Sequence, residues 1–510
     1  METATSQFLA LADELLIEII SLIQDRQSLC ALARTCSRLQ DLTQDFIFHS
    51  PLIRNGDQAR ALAHLFSSGR IRSSAVHDLQ IRWRHTVEDG IEDINSVLTS
   101  FTQLRNLRIE SPCCNDGPWI EQPEKPAIPW TSGGRIDITG LFETALDRSG
   151  ELSTPLLGQL QSLTLHSHGN GEGSARYELG TGAIIFLLPS LRYIMLSCYD
   201  IGLHEDLEAI LSQNLKYANA RKTTGLRTLI FEECNISFES FKTILKLPKA
   251  LENLTVGERM YHTSASVMPM GFRPNFLEAL SPQRSTLGYL KHMGGGRYWS
   301  QAYLLPHFQE DVSCLPALRT IELGPALGAK YTSQHLPPTL LTVRFLMTFP
   351  TDLGRENNFF DHPFWSASSS STSSSSPSTT STSTSSTTTT TDTPSHRIDV
   401  VFYRTPDTAF WDPPWRRDCV DRIAKRLQEQ NTAFAIYQPR FCKRSLIPPY
   451  MYGEELPVEE LVYVSCRRDV FGGRVYEGVG GADEDAGEGD GGWEGEMEVG
   501  GDEVDDGEGD

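Results

Sequence analysis

One short pattern returns seven times between residues 104 and 345: a leucine, two variable residues, an aliphatic residue, one variable residue and a second apolar residue. Apolar residues at alternate positions are typical of a β-strand with one buried face. A strand that recurs along a chain cannot bury that face alone, so the pattern predicts units that stack on one another. The copies begin at Leu104, Leu160, Leu191, Leu226, Leu251, Leu318 and Leu340.

The segments between the copies predict helices that end at a proline turn. A leucine–proline pair stands just before four of the copies. Proline ends a helix and favours an extended approach to the strand that follows. Residues 204–215 and 237–247 are predicted helices, so the unit is helix, proline turn, strand. The two widest gaps, 104–160 and 251–318, are wide enough to hold a degenerate repeat or a loop. Weaker copies of the strand are predicted at Leu79, before the first copy, and at Leu287, within the second gap.

The pattern resembles the leucine-rich repeat. The fullest copy starts at Leu226, because Cys234 and Asn235 fall where that family places a small polar residue in the turn after the strand. The resemblance implies an α/β fold over residues 75–365, a curved solenoid in which parallel strands line the inside and helices cover the outside. A different α/β domain, whose strands happen to begin with leucine, is the alternative.

The same resemblance implies a protein substrate bound on the concave side of the solenoid. The leucines would point into the core, so the residues between them would face the open side. A solvated sheet face without a partner is the alternative at any single position. The predicted contacts are Arg108, Glu110, Thr164, His166, Met195, Ser197, Ile230, Glu232, Thr255 and Glu322.

The first fifty residues carry three short apolar stripes at helical spacing. The first predicted helix has Leu15, Ile19 and Leu22 on one face. The second is capped by Asp25 or Ser28, whose side-chain oxygens can accept backbone N–H groups. The second stripe comprises Leu29, Leu32, Ala33 and Cys36, and the third comprises Leu39, Leu42 and Phe46. Three such helices bury little core by themselves and need a partner or a neighbouring domain.

Residues 7–50 resemble an F-box, through the opening Leu-x-x-Glu-Leu-x-x-x-Ile and the later Ser-Leu-x-x-Leu and Cys-x-x-Leu spacings. Ala12 departs from the family, which usually has proline there. The resemblance implies a docking module for a Skp-type adaptor and, through it, a cullin. The chain would be the non-catalytic substrate-recognition subunit of a ubiquitin ligase. The residues implied to form or support the adaptor-binding surface are Leu11, Leu15, Ile19, Leu29, Leu32, Cys36 and Leu39.

Three other interpretations stay open. The N-terminal helices could be an ordinary helical cap on the repeat domain. The repeats could form an interaction scaffold that acts outside any ligase. An enzyme with a site assembled from scattered residues is the third, and it predicts a deep polar pocket with perturbed titratable groups.

The C-terminal third changes composition three times. Residues 366–395 are almost entirely Ser and Thr and offer no apolar surface to offset the entropy of ordering, which predicts a disordered linker. Residues 396–470 resume an ordered pattern and are predicted to form a terminal repeat or cap. Residues 475–510 contain fifteen Asp or Glu and no Lys or Arg, which predicts a disordered acidic tail. The elements predicted for the cap are a strand at 397–403, a helix at 419–429 and a strand at 432–438.

No pattern in the sequence indicates a catalytic site, a cofactor or a metal centre. His166 and His168 could share one face of a strand, but no further ligand is near in sequence, and a solvent-facing pair is favoured. The net charge of -21 argues against nucleic acid as a partner. No secretory signal and no apolar run of about 18 residues is present, so no membrane association is expected. The expected location is intracellular, cytoplasmic or nuclear, with reduced cysteines.

Overall fold

The structure is a computed structural model that describes most of the segments in which strands and helices are predicted. The described residues are 7–69, 71–82, 90–110, 136–147, 157–166, 179–202, 206–213, 221–257, 276–294, 310–324, 331–332, 337–348, 396–402, 417–429, 431–440 and 457–465. All of them belong to one unit, residues 1–466. The predicted linker at 366–395 and the predicted tail at 475–510 lie outside the described residues.

Three helices follow a 3₁₀ turn (Gln7–Ala10) at the N-terminus: α1 (Asp13–Ser21), α2 (Arg26–Ala33) and α3 (Ser37–Ile47). The predicted cap of the second helix is confirmed, since the Asp25 carboxylate accepts the backbone N–H groups of Gln27 and Ser28. Hydrogen bonds from Ser28 lower the pKa of Asp25. Cys36 is not in the second helix as predicted. It is the N-cap of α3, because the chain leaves the helical conformation after Ala33.

The rest of the described chain is built around a thirteen-stranded sheet. Its strands follow the chain order from β1 to β17, except that four short strands form two separate pairs, β6 with β8 and β11 with β13. All pairs in the large sheet are parallel apart from the last, β16 with β17. The described strands form an open sheet that ends at β1 and β17, which confirms a mixed α/β fold with a mostly parallel sheet.

The strands have the following bounds: β1 Leu52–Ile53, β2 Asp78–Arg82, β3 Asn106–Glu110, β4 Ser162–His166, β5 Tyr193–Ser197, β6 Asp200–Ile201, β7 Thr228–Glu232, β8 Asn235–Ile236, β9 Asn253–Gly257, β10 Tyr289–Gly294, β11 Glu310–Asp311, β12 Thr320–Leu323, β13 Tyr331–Thr332, β14 Thr342–Thr348, β15 His396–Phe402, β16 Thr432–Arg440 and β17 Val458–Val464. The two weaker strands predicted at Leu79 and Leu287 are present as β2 and β10.

Helices connect many of the strands. They are α4 Gly56–Ser67, α5 Asn95–Leu98, α6 Ile138–Asp147, α7 Leu207–Ser212, α8 Phe238–Leu245, α9 Phe276–Ala279 and α10 Arg417–Glu429. Further 3₁₀ turns span Ser73–Ala75, Ile91–Ile94, Gly180–Leu187, Ser281–Gln283 and Val312–Cys314. The helix predicted at 204–215 is shorter than expected, with Asp206 capping its start. In the described part of the chain, no helix combines the length and the apolar character needed to cross a membrane.

The repeated pattern places equivalent leucines in register across the sheet. Leu107 pairs with Leu163, and the row continues through Ile194, Leu229 and Leu254. Each of these side chains is at most 1% exposed. Strand side chains alternate between the two faces, so this core face is apolar and the opposite face, called here the open face, carries the residues between the leucines.

The turns after β5 and β7 also repeat. Cys198 and Glu233 follow these strands and adopt left-handed backbone conformations, with φ of 63° and 52°. The chain then forms β6 and β8, which pair in parallel. Two repeats 35 residues apart therefore share one turn geometry. In the second of these turns Cys234 is buried, and its thiol contacts the Leu196 carbonyl at 3.3 Å.

The predicted cap at 396–470 continues the large sheet. β15 pairs with β14 and β16 with β15, both in parallel, and α10 lies between these two strands in the chain. The strand, helix and strand predicted there are all present. The antiparallel strand β17 was not predicted, because its sequence lacks the opening leucine of the repeats.

Candidate functional site

Two surfaces carry the residues that the sequence singles out: the N-terminal helices and the open face of the sheet. Among the described residues, seven large apolar side chains are exposed, and five of them lie between residues 8 and 22. These five, called here the apolar patch, are Phe8, Leu15, Ile17, Ile19 and Leu22, with exposed fractions from 36% to 76%. Leu15, Ile19 and Leu22 share one side of α1, and Ile17 lies on another side. So dense a group of exposed apolar side chains is typical of an interaction surface.

The apolar patch exists because α1 buries a different pair of residues. Leu16 and Ile20 are fully buried, and they are one helical turn apart on the face that packs against α3. Leu15 and Ile19 occupy the next positions round the helix and therefore point away from that core. Helical spacing alone did not distinguish these two apolar faces.

Arg38 fixes the segment that leads into α1. Its guanidinium donates to the backbone carbonyls of Leu9 and Leu11 and forms an ion pair of 2.7 Å with Asp13. One side chain of α3 thus holds both the first 3₁₀ turn and the start of α1 in place. The sequence did not predict this role of Arg38, because its partner Asp13 lies 25 residues earlier in the chain and no local pattern connects the two.

The predicted adaptor-binding residues divide by depth. Leu15 and Ile19 are exposed, at 49% and 39%, and belong to the apolar patch. Leu29 and Leu39 are buried, at 6% and 4% exposed, and therefore belong to the core of the three helices. The half-buried members of the predicted set are Leu11, Leu32 and Cys36.

The predicted substrate contacts lie in two rows across the open face, as the repeat pattern requires. In the middle row Arg108, Thr164, Met195, Ile230 and Thr255 occupy successive paired positions. Beyond Thr255 the row continues through Lys291, Glu322, Arg344 and Asp399. The second row, nearer the carboxyl ends of the strands, comprises Arg82, Glu110, His166, Ser197 and Glu232.

The predicted contacts differ in how much surface they present, and the difference does not follow the two rows. Arg108, Thr164, Met195, Ile230 and Glu232 are half-buried and accessible in part. The other five predicted contacts are buried, with exposed fractions of 8% or less, and offer a partner almost no surface: Glu110, His166, Ser197, Thr255 and Glu322. In particular, His166 is not the solvent-facing residue that was expected, and His168 lies outside the described residues.

Charges at the first end of the face are largely satisfied within the protein. Glu110 is in direct contact with the Arg108 guanidinium and lies 3.9 Å from that of Arg82. Further along, burial raises the pKa of Glu232, and Lys291 opposes that rise. Burial also raises the pKa of Tyr193, to which the nearby Glu232 charge contributes.

The other end of the face is organised by Arg344. Its guanidinium lies 3.3 Å from Glu322 and 3.5 Å from Asp399, and it also contacts Glu459 of β17. Burial opposes its charge, but the three carboxylates together raise the pKa of Arg344. The cluster joins three strands to β17, and only the fold brings Glu459 within reach.

Three buried residues of the second row, Glu110, His166 and Ser197, place a carboxylate, an imidazole and a hydroxyl in neighbouring register. A serine nucleophile needs a hydrogen bond to its base. The Ser197 hydroxyl is fully buried and has no hydrogen-bond partner among the described residues. The described side chains of His, Cys, Asp and Glu also form no cluster of three or more that could hold a metal ion.

No protein-family model matches the chain, and no curated protein sequence matches it. The functional interpretation therefore depends on the residues and their geometry.

Proposed function

We propose that this chain is the substrate-recognition subunit of a Skp–cullin–F-box ubiquitin ligase. In this proposal residues 7–50 are an F-box that binds a Skp-type adaptor. Residues 75–365 and 396–470 are a leucine-rich-repeat solenoid that binds a protein substrate. The apolar patch of residues 8–22 is the observation that carries the proposal.

The apolar patch supports a docking role on energetic grounds. Covering a half-exposed large apolar side chain contributes about 1 kcal/mol, and five such side chains are grouped within fifteen residues of chain. A helical adaptor groove would use the spacing of Leu15, Ile19 and Leu22, which are four and three residues apart on one side of α1. Arg38 would keep this surface pre-organised by holding the segment before α1.

The sheet supports the repeat part of the proposal. Each predicted copy contributes one parallel strand, and equivalent leucines stand in one buried row. The matched turns at Cys198 and Glu233 add a second feature that recurs with the strand. A solenoid built this way offers a long surface on which a protein substrate can lie.

The mechanism requires no chemistry from the chain itself. The adaptor and cullin would connect residues 7–50 to a ubiquitin-conjugating enzyme, while the solenoid holds the substrate. Bringing a substrate lysine next to the charged conjugating enzyme converts a bimolecular encounter into an intramolecular one, which can supply several kcal/mol of the barrier.

The test is co-purification of the full chain with a Skp-type adaptor, beside a Leu15→Asp, Ile19→Asp variant. We expect the parent to bind and the variant to lose at least about a hundredfold in affinity, because two charges would enter an apolar interface. Leu341→Asp is the matched control, since Leu341 is also an exposed apolar residue, at 43%, and lies outside the patch.

Absence of adaptor binding by the folded parent would overturn the proposal and leave the repeat scaffold outside a ligase as the better account. Equal loss in the Leu341→Asp control would show that the apolar patch is not the adaptor surface.

A further inference from the structure

The amino-terminal ends of the strands carry an unusual concentration of positive charge. Seven turn segments lead into the neighbouring strands β3, β4, β5, β7, β9, β10 and β12. They span residues 101–105, 157–161, 188–192, 221–227, 246–252, 281–288 and 315–319. Together they hold nine Lys or Arg residues and one acid, Glu252, in a chain whose net charge is -21. We call this surface the basic edge.

The backbone fixes the basic edge in register. The N–H of Gln161 donates to the Arg105 carbonyl at 2.8 Å, and the N–H of Arg192 to that of Gln161 at 2.8 Å. The N–H of Arg227 then donates to the Arg192 carbonyl at 2.9 Å. The ladder continues to Arg319, so the four arginines lie along one line, with neighbouring strands about 4.8 Å apart.

Three arginines of the basic edge are available to a partner, whereas Arg221 already forms an ion pair with Glu208 at 3.4 Å. Arg105, Arg192 and Arg319 are exposed and form no ion pair with the described residues. Arg227 is 63% exposed and has Glu252 at 3.3 Å. The guanidinium of Arg192 also occupies the space that a side chain at Gly225 would fill.

Local structure explains only part of this charge. Lys246 is the C-cap of α8, where a cation is stabilised by the helix dipole. Arg192 and Arg227 instead stand side by side at the starts of adjacent strands, where like charges repel and destabilise the sheet. A cost of this kind is offset when an anionic partner covers both guanidinium groups.

We infer that the basic edge binds an acidic segment of a protein partner in extended conformation. From Arg105 to Arg319 there are six strand steps, about 29 Å in all, which about nine residues of extended peptide would span. Arginine is suited to this task because its planar fork matches a carboxylate with two hydrogen bonds. The inference does not depend on adaptor binding.

A protein segment fits this surface better than nucleic acid. Bases bind through stacking on aromatic side chains, and the seven segments contain one aromatic residue, Phe101, which is fully buried. The strongly negative chain would also repel a long polyanion more than a short acidic peptide.

The experiment measures binding of the full chain to a fluorescent twelve-residue peptide of alternating Glu and Ser, over a range of salt concentrations. We expect Arg192→Glu with Arg227→Glu to weaken binding about tenfold or more at low salt. The matched control, Arg34→Glu with Lys425→Glu, makes the same change in net charge at exposed positions away from the edge and is expected to bind within about twofold of the parent.

Because Arg192 packs at Gly225, a second pair, Arg105→Glu with Arg319→Glu, repeats the test at residues without that contact, and thermal melting checks each fold. No binding by the parent, or equal weakening in the control, would overturn the inference. Tighter binding of a single-stranded RNA of equal charge would overturn the choice of an acidic protein segment. Adaptor binding by these variants is measured separately, so failure here is distinguishable from failure of the ligase proposal.

Discussion

The N-terminal helices and the sheet treat their apolar residues differently. In α1, Leu16 and Ile20 are buried while Leu15 and Ile19, beside them in the chain, remain exposed. In β7, Leu229 and Phe231 are fully buried, and the intervening Ile230 is half-buried on the open face. In both regions one face is buried in the core. The face that remains accessible is apolar on the N-terminal helices and mainly polar on the sheet.

The difference follows from how many neighbouring elements pack against each region. Every central strand has neighbours on both sides, so its apolar face is covered by the repeats themselves. The N-terminal helices are short and have few neighbours, which leaves a second apolar face exposed among the described residues. Substitutions at adjacent residues of the same element test this difference between the two regions.

The largest effect is expected in the sheet. Phe231→Ala should lower the free energy of unfolding by about 3 to 5 kcal/mol, since it leaves a cavity in the core against the buried face of the sheet. Ile230→Ala, one residue away, should cost less than about 1.5 kcal/mol. Urea denaturation followed by far-UV circular dichroism measures both, and similar losses would contradict the alternation of the two faces.

The next effect concerns the helices. Leu16→Ala should cost about 2 to 4 kcal/mol of local stability, seen as faster amide hydrogen exchange through α1 and α3. Leu15→Ala should change exchange little, because its side chain is 49% exposed. If Leu15→Ala destabilised the helices as much as Leu16→Ala, the apolar patch would be part of the core and not a docking surface.

Arg344→Ala should lower stability by about 2 kcal/mol, because three carboxylates would face one another without their shared cation. Burial raises the pKa of Asp399, and protonation of a carboxylate removes its repulsion, so the loss should shrink as the pH falls from 8 towards 4. Comparison with the parent at each pH isolates the effect. A loss independent of pH would indicate that packing, and not charge, is what Arg344 contributes.

The smallest effect is expected at Glu232. Burial raises the pKa of Glu232 in the folded protein, so its ionisation lowers stability once the pH exceeds that pKa. Glu232→Gln should therefore be more stable than the parent by about 1 kcal/mol at pH 7.5, and the difference should disappear near pH 4, where the parent is also neutral. A variant less stable than the parent at pH 7.5 would show that the attraction of the Lys291 charge outweighs burial.

Sequence periodicity predicted the strands well and the site only in part. The recurring leucines located seven strands, and weaker copies located β2 and β10, because alternation of two is a local property of the chain. The same reasoning did not predict that Glu110, His166 and Ser197 would be buried, since burial depends on what lies above the open face. It also missed β17, which lacks the pattern.

The sequence by itself determined which residues are apolar at alternate positions, where prolines end the helices, and the acidic balance of the chain. Only the tertiary structure decided which apolar face of α1 is covered and how the arginines at the strand starts align. It also brought Arg344 to Glu459, 115 residues further along the chain. The physical reason is that periodicity acts between near neighbours in the chain, whereas burial and ion pairing depend on distances between segments that only the folded sheet brings together.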